Sequence, residues 1–490
     1  MNNRTWIALV TMVLFVSLAA AAAQAAPAAE REGLLGAGAK NVQTKNLTAG
    51  PVPAAGKTLR IDRTQAQMTI SAWDKNEISA EATVEVGDSD PELIKEFLDN
   101  TTMKLEAEGG GFVLRLMSPM DWERGHTTIY KKIGQAVRSG RWNLSYAARI
   151  VVRVPASQSL DVSNSFGDIA VNGVTGRLKL RNESGQVRVE GGGGELALET
   201  SFADVRVANF KGAIDVRNES GAVSAENIGG RADIHTSFKD VRFAKIGGPL
   251  TVTAESAGVT GSDVAGDCRI TSSFQKIEVR GIRGRLEVNG ESAPVTVRDV
   301  DLDAVVGSSF GDIAVTGVGG SLEVRSESAK VTAADVKKDV AIRTSFKDVE
   351  ARRIGGGLTV EAESSGVLAE DIGGAVSVRS SFSRVVLRRT SGSITVTAES
   401  APVEIAEIKA LPSGSVIDVK TSFGPIRITL PAGAEFQGTA KAGFGKVITD
   451  IPVTLTDSGS FEGQVVSFGT GKGGVTLRLE TTADITIKKQ

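Results

Sequence analysis

Between Ser165 and about Leu411 the chain repeats one hydrophobic pattern every 18 residues without an insertion. With Ser165 as position 1, position 5 of fourteen successive units holds only Val or Ile, from Ile169, Val187 and Val205 to Val385 and Val403. Position 16 is equally strict, from Leu180 and Leu198 to Val378 and Val396. Positions 7 and 14 are mostly apolar, and position 12 is usually glycine, as in Gly176, Gly194, Gly212 and Gly230. Apolar residues at 5 and 7, and again at 14 and 16, have the period of two that marks strands, and no helical spacing occurs in the unit.

A unit of two short strands cannot bury its own apolar face, so successive units must stack and share one core. The pattern predicts an all-β fold, a parallel β-solenoid expected to be a right-handed β-helix with 18-residue coils. Strands cover about positions 4–8 and 13–18, joined at glycine corners such as Asn172-Gly173 and Gly229-Gly230. At about 4.8 Å per coil, fourteen coils make a rod on the order of 65 Å long. Each coil buries about four aliphatic side chains, worth roughly 1.5–3 kcal/mol apiece before chain entropy is subtracted. A seven-bladed propeller is the rival, but near-identical halves and β-rich flanks favour an open rod.

A second period, of two coils, overlies the first. Ser-Phe pairs place Phe166, Phe202, Phe238, Phe274, Phe310, Phe346 and Phe382 at steps of 36, and Glu-Ser pairs place Glu183, Glu219, Glu255, Glu291, Glu327, Glu363 and Glu399 midway between them. Glu then never stacks on Glu at one-coil spacing, and each Phe alternates with a small Ser, so that bulky rings share a corner without overpacking. Both ladders read as structural.

The flanks depart from the period. Residues 1–25 have the charged start, apolar run and Ala23-Gln24-Ala25 cleavage pattern of a secretory signal peptide, which predicts an exported protein, periplasmic or at the cell surface, with no membrane span after its removal. Residues 26–56 read as a flexible Ala/Gly/Pro linker, and 57–160 as a β-rich N-terminal cap with one or two short helices, one starting at Ser89-Asp90-Pro91-Glu92. The repeats run over 161–430, with a register slip at Leu411-Pro412-Ser413-Gly414 before a further Ser422-Phe423 coil, and residues 431–490 read as longer coils and a C-terminal cap. An aromatic and basic insertion at 119–147 interrupts the cap. In it Ile129, Ile133 and Val137 could line one face of a helix, either a docking or membrane-surface helix or one packed on the end of the rod. Trp122, Tyr130, Arg138, Arg141 and Trp142 are the candidate partner-binding residues, because binding energy concentrates in Trp, Tyr and Arg.

Composition narrows the chemistry. The 56 basic and 58 acidic residues nearly cancel, which excludes a bulk electrostatic pull on nucleic acid. The chain has two histidines, His126 and His235, and one cysteine, Cys268, at a core position. No transition-metal ligand set and no Ser-His-Asp arrangement can be assembled from these, and no cofactor is expected. Asp168, Asp204, Asp240, Asp312 and Asp348 share position 4 on alternate coils, about 9–10 Å apart, and read as a corner motif rather than a glycosidase pair. No exposed aromatic is expected along the coils to stack sugar rings.

Three stretches resemble a known family: the strand pair Leu59–Ile61 and Met68–Trp73 closing on Asp74, the strand ending Val152-Arg153-Val154-Pro155, and the Gly-Asp-Ile-x-Val coils from Gly167, with Ile426-x-Ile428-x-Leu430-Pro431 as a further match. They are similar to the bacterial putative-adhesin family, a domain of unknown function found in exported β-solenoids. The resemblance implies a non-enzymatic adhesin-like or envelope-scaffold protein whose partner is a protein or surface component, and it carries over no catalytic residue. The alternatives are a periplasmic partner in envelope-stress signalling and a carbohydrate-active β-helix enzyme.

Overall fold

In the computed structural model, residues 33–36, 39–54, 56–119, 144–433, 435–457, 463–469 and 474–489 are described. They form 43 strands and one helix, Pro91–Asp99. The strands fall into two sheets facing one another across a single apolar core.

The 18-residue register is exact in the pairings. One sheet stacks Ile169–Asn172 on Val187–Glu190, then Val205–Ala208, and so on to Val403–Ala406, all parallel. The other stacks Leu160–Phe166, Leu178–Ser184 and Glu195–Thr200 through Ile394–Ala398 to Val416–Thr421, also parallel. Val187, Val189, Leu196 and Leu198 are buried, and so are their equivalents along the rod except the half-buried Gly261, as the alternation predicts. The first sheet has 21 strands, which at about 4.8 Å per step makes a rod on the order of 95 Å long.

The corner leading from the first sheet to the second adds a core position that the period of two does not reach. In fourteen successive coils, from Gly173 to Glu407, position 9 has a positive φ. Gly, Asn and Asp tolerate this left-handed conformation best, though Lys245, Arg353, Arg389 and Glu407 also adopt it. The turn swings position 10 inward, so Ile228, Ile246, Val264, Ile282 and Val300 are buried.

Both ends of the rod are built out of chain order. Strands Leu59–Thr64 and Gln67–Trp73 lie directly on Leu160–Phe166 and Ile169–Asn172, and the next level is made by Gly111–Met117 and Ser145–Pro155. Antiparallel strands then close that end: Glu77–Gly87 on Ser145–Pro155, Gln43–Pro53 on Glu77–Gly87, and Thr102–Glu108 on Gly111–Met117. At the other end Val475–Thr481 and Ile485–Lys489 lie on Val416–Thr421 and Ile426–Leu430, and the earlier strands Phe436–Ala442 and Val447–Thr449 stack beyond them.

One expectation changes here. Residues 43–53, assigned to a flexible linker, form an eleven-residue strand whose antiparallel pairing with 77–87 supplies the hydrogen bonds that its own composition does not announce. Of the short helices, only 91–99 falls among the described residues. Asp90 caps it, accepting from the N–H groups of Glu92 and Leu93, and Ile94, Phe97 and Leu98 are its buried face.

Candidate functional site

The corner from the second sheet back to the first, positions 18 to 4, is braced from both sides. Position 18 points inward and is polar in most coils. Asn164 Nδ2 donates to the carbonyls of Phe166 and Gly167, Asn182 Nδ2 to those of Gly167 and Gly185, and Ser272 Oγ and Ser308 Oγ to those of Ala257 and Ala293. Corner carbonyls that strand pairing leaves free are thereby satisfied inside the rod. The aspartates of position 4 act from outside: Asp168, Asp204 and Asp240 each accept from the backbone N–H one coil further on, at Gln186, Ala222 and Gly258. Asp312 and Asp348 do the same for Lys330 and Gly366. These carboxylates are a corner motif.

Held in this way, the corner turns its phenylalanines to solvent. Phe166, Phe202, Phe238, Phe274, Phe310, Phe346, Phe382, Phe423 and Phe444 are 56–78 % exposed. This overturns two expectations: that these rings pack within the corner, and that no exposed aromatic lines the coils. Strand alternation continued from positions 14 and 16 would aim position 2 inward, but the turn begins there and reverses it.

The rings occupy every second level of the stack, about 9.6 Å apart. Chain spacing alone does not produce this. From Phe382 to Phe423 the step is 41 residues and from Phe423 to Phe444 it is 21. Yet the inserted Val475–Lys489 coil puts Thr482 on the level between them, since the Thr482 N–H donates to the Ser422 carbonyl and the Phe444 N–H to the Thr482 carbonyl. The alternation is therefore kept in space where the sequence period fails. On the intervening levels stand Ser184, Ser220, Ser256 and their equivalents at position 2, beside the exposed Glu183, Glu219 and Glu255 at position 1. The result is an edge of rings and carboxylates about 75 Å long. A shallow groove of ≈ 770 Å³ runs beside its first coils, lined by Arg181, Arg217, His235 and those glutamates.

The opposite corner carries charge instead. Arg353 forks onto Asp335 (2.6 and 2.8 Å), Arg389 onto Asp371 (3.1 Å from each nitrogen), and Arg389 also reaches Glu407 (3.2 Å). The hydrogen bonds from Arg389 and Lys409 lower the Asp371 carboxyl to about 2. A chain of alternating charges joined by forked pairs ties successive coils together.

Of the residues singled out from the sequence, Trp122, Tyr130, Arg138, Arg141, Trp142 and His126 lie outside the described residues, as do residues 1–25, where a signal peptide is expected. The described strands on either side, 111–117 and 145–155, belong to different sheets. His235 is exposed, with Arg217 and Thr253 as its neighbours in the stack. Cys268 is buried, and desolvation pushes its thiol up to about 12. Among the described residues no cluster of His, Cys, Asp and Glu could hold a metal ion, and no helix is long and apolar enough to cross a membrane.

Residues 57–276 match the family described as Toastrack DUF4097. This stretch, somewhat under half of the chain, is similar to the Toastrack domain. It covers the out-of-order N-terminal levels and the first coils, and the same coil continues beyond the matched span without a break in pairing. Two solved structures are similar to the chain. A putative cell adhesion protein from Clostridium sporogenes shares 8% identity over 91% of this chain and 100% of its own, with a TM-score of 0.14. A putative lipid binding protein from Parabacteroides distasonis shares 9% identity over 75% of this chain and 97% of its own, with a TM-score of 0.15. At such scores neither bears on the geometry of the coils. No curated protein matches the sequence.

Proposed function

We propose that this protein is an exported, non-enzymatic β-solenoid of the cell envelope, an adhesin-like scaffold that binds through its phenylalanine edge. In this reading the coil is right-handed, the hand favoured for parallel strands joined by a crossover. The observation that carries the proposal is the line of nine exposed rings held at alternate levels across a break in the sequence period. Large apolar side chains aligned on a soluble surface mark contact sites, and aromatic residues dominate binding energy. A non-enzymatic role is supported by the corner aspartates, whose oxygens are engaged by backbone N–H groups. Export rests on residues 1–25, and the mature N-terminus predicted by their pattern is Ala26.

The test is sedimentation with isolated cell envelopes. The full-length gene product is compared with a variant in which Phe238, Phe274, Phe310 and Phe346 are all changed to Ser. Retention should fall at least about tenfold with melting unchanged, because four exposed rings contribute to contact and little to the core. Equal retention of the two proteins would remove the edge from consideration. N-terminal sequencing of the mature protein tests export, and an intact Met1 would refute it.

A further inference from the structure

The edge is complementary to itself, and from this we infer that its occupant is a second copy of the chain, docked antiparallel with the two ladders interleaved. The inference rests on reading the edge as a binding surface and adds the identity of the partner.

Two offsets within the repeat carry it. From Phe166 to Phe423, levels with Phe at position 2 have Ser at position 1, as in Ser237-Phe238, while the levels between have Glu followed by Ser, as in Glu255-Ser256. If two edges met level for level with position 1 opposite position 1, ring would face ring and carboxylate would face carboxylate. Displaced by one coil, each Phe faces a Ser and each Glu faces a Ser, while the carboxylates of the two copies alternate about 4.8 Å apart along the rod, a repulsion that the rings must outweigh. A two-fold axis perpendicular to the rods reverses the order of levels while keeping position 1 opposite position 1. It can therefore supply the one-coil offset in a closed, isologous dimer, which a two-fold parallel to the rods cannot.

The spacing suits ring insertion. Neighbouring rings on one edge stand about 9.6 Å apart, and among the described residues none of the nine pairs with another aromatic ring. A partner's ring placed midway lies about 4.8 Å from each neighbour along the rod, within the 4.5–7 Å range that aromatic pairs prefer. With each ring offering on the order of 100 Å², nine give about 900 Å² per copy, close to the ~800 Å² per partner of a stable interface. Maintenance of the alternation at Phe444, where chain order is broken, fits an edge that must match another edge along its whole length.

Sedimentation velocity of the purified full-length protein across a concentration series tests this, using two variants. The four-serine variant should dissociate at least about 100-fold more readily than wild type. The second variant fills the gaps, with Ser256, Ser292 and Ser328 each changed to Phe, and makes the edge more apolar while abolishing its complementarity. It should also be monomeric. Each variant is first shown to melt like wild type, and because both change only surface positions, loss of the dimer in either then reports on the edge. A wild type monomeric at every concentration, or a dimer unaffected by the four serines, overturns the inference. A gap-filled variant that associates more tightly than wild type overturns it as well, since plain stickiness would then explain the contact. If monomeric wild type instead sediments with anionic lipid vesicles or insoluble glycan, and the four-serine variant does not, the occupant is that surface. Self-pairing is then wrong while the edge remains a binding site.

Discussion

Phe243 and Gly261 face each other on adjacent strands, 241–246 and 259–264. Phe243 is buried at position 7, where most other coils carry Val or Ala, and its ring lies over Gly261 so closely that a methyl group added there would sit 2.3 Å from Cδ2 and Cε2. The Gly261→Ala change should therefore cost about 1–3 kcal/mol through overpacking, although Ala is otherwise the better strand residue by roughly 0.5–1 kcal/mol. Phe243→Ala should cost about 3–5 kcal/mol through the cavity it leaves. In the double variant the new methyl enters that cavity, so Gly261→Ala should become neutral or stabilising, a coupling of about 1–3 kcal/mol. Because a rod of coils can open locally, the readout is hydrogen-exchange protection of strands 241–246 and 259–264, supported by thermal unfolding. Additive costs would refute the reasoning, and so would a harmless Gly261→Ala in the wild-type background.

Val259→Asp should lower the melting temperature far more than Thr260→Asp, since Val259 is buried between Val241 and Ile277 while Thr260 is exposed, and an unpaired carboxylate in the core costs several kcal/mol. Equal shifts would refute the register. Asp371 titrates in the folded protein near 2, below its ordinary 3.8, so its contribution is present at neutral pH and lost as pH falls from about 4 towards 2. Asp371→Asn should accordingly be less stable than wild type at pH 7, with the difference shrinking in acid; a gap that widens in acid would contradict the pairing. Cys268, buried with its thiol raised to about 12, should resist a thiol-specific reagent in the native state and react on unfolding, as followed by reagent release.

Positions 5, 7, 14 and 16 could be read directly, because each coil repeats them on strands whose side chains alternate about a single buried face. Position 10 could not. It lies past a left-handed corner that Asn209 and Asp263 signal but Lys245 and Arg389 disguise, and periodicity does not carry through a turn. The phenylalanines failed for a related reason. Their type and their parity with position 16 both argue for burial, and the reversal at the corner depends on inward hydrogen bonds such as Ser272 Oγ to the Ala257 carbonyl, which join residues 15 apart across two coils. The out-of-order ends lay beyond reach as well, since pairing Val416–Thr421 with Val475–Thr481 follows from no local pattern. By contrast, the corner role of Asp168 and its equivalents was legible, because five copies in one register do not make a single site.

The interleaved C-terminal levels also constrain how the rod can be assembled. A nascent chain can add coils one after another through residues 416–430, each finding its template already in place. Residues 436–449 then have nothing to rest on, because the level beneath them is made from residues 475–489, which are synthesised later. Until that segment emerges, the strand 416–421 presents unpaired backbone groups, the kind of open template on which chains join one another. Vectorial growth therefore ends in one concerted step that places two levels at once. A polypeptide stalled or cut before residue 475 is left with a sticky end rather than a shorter finished rod.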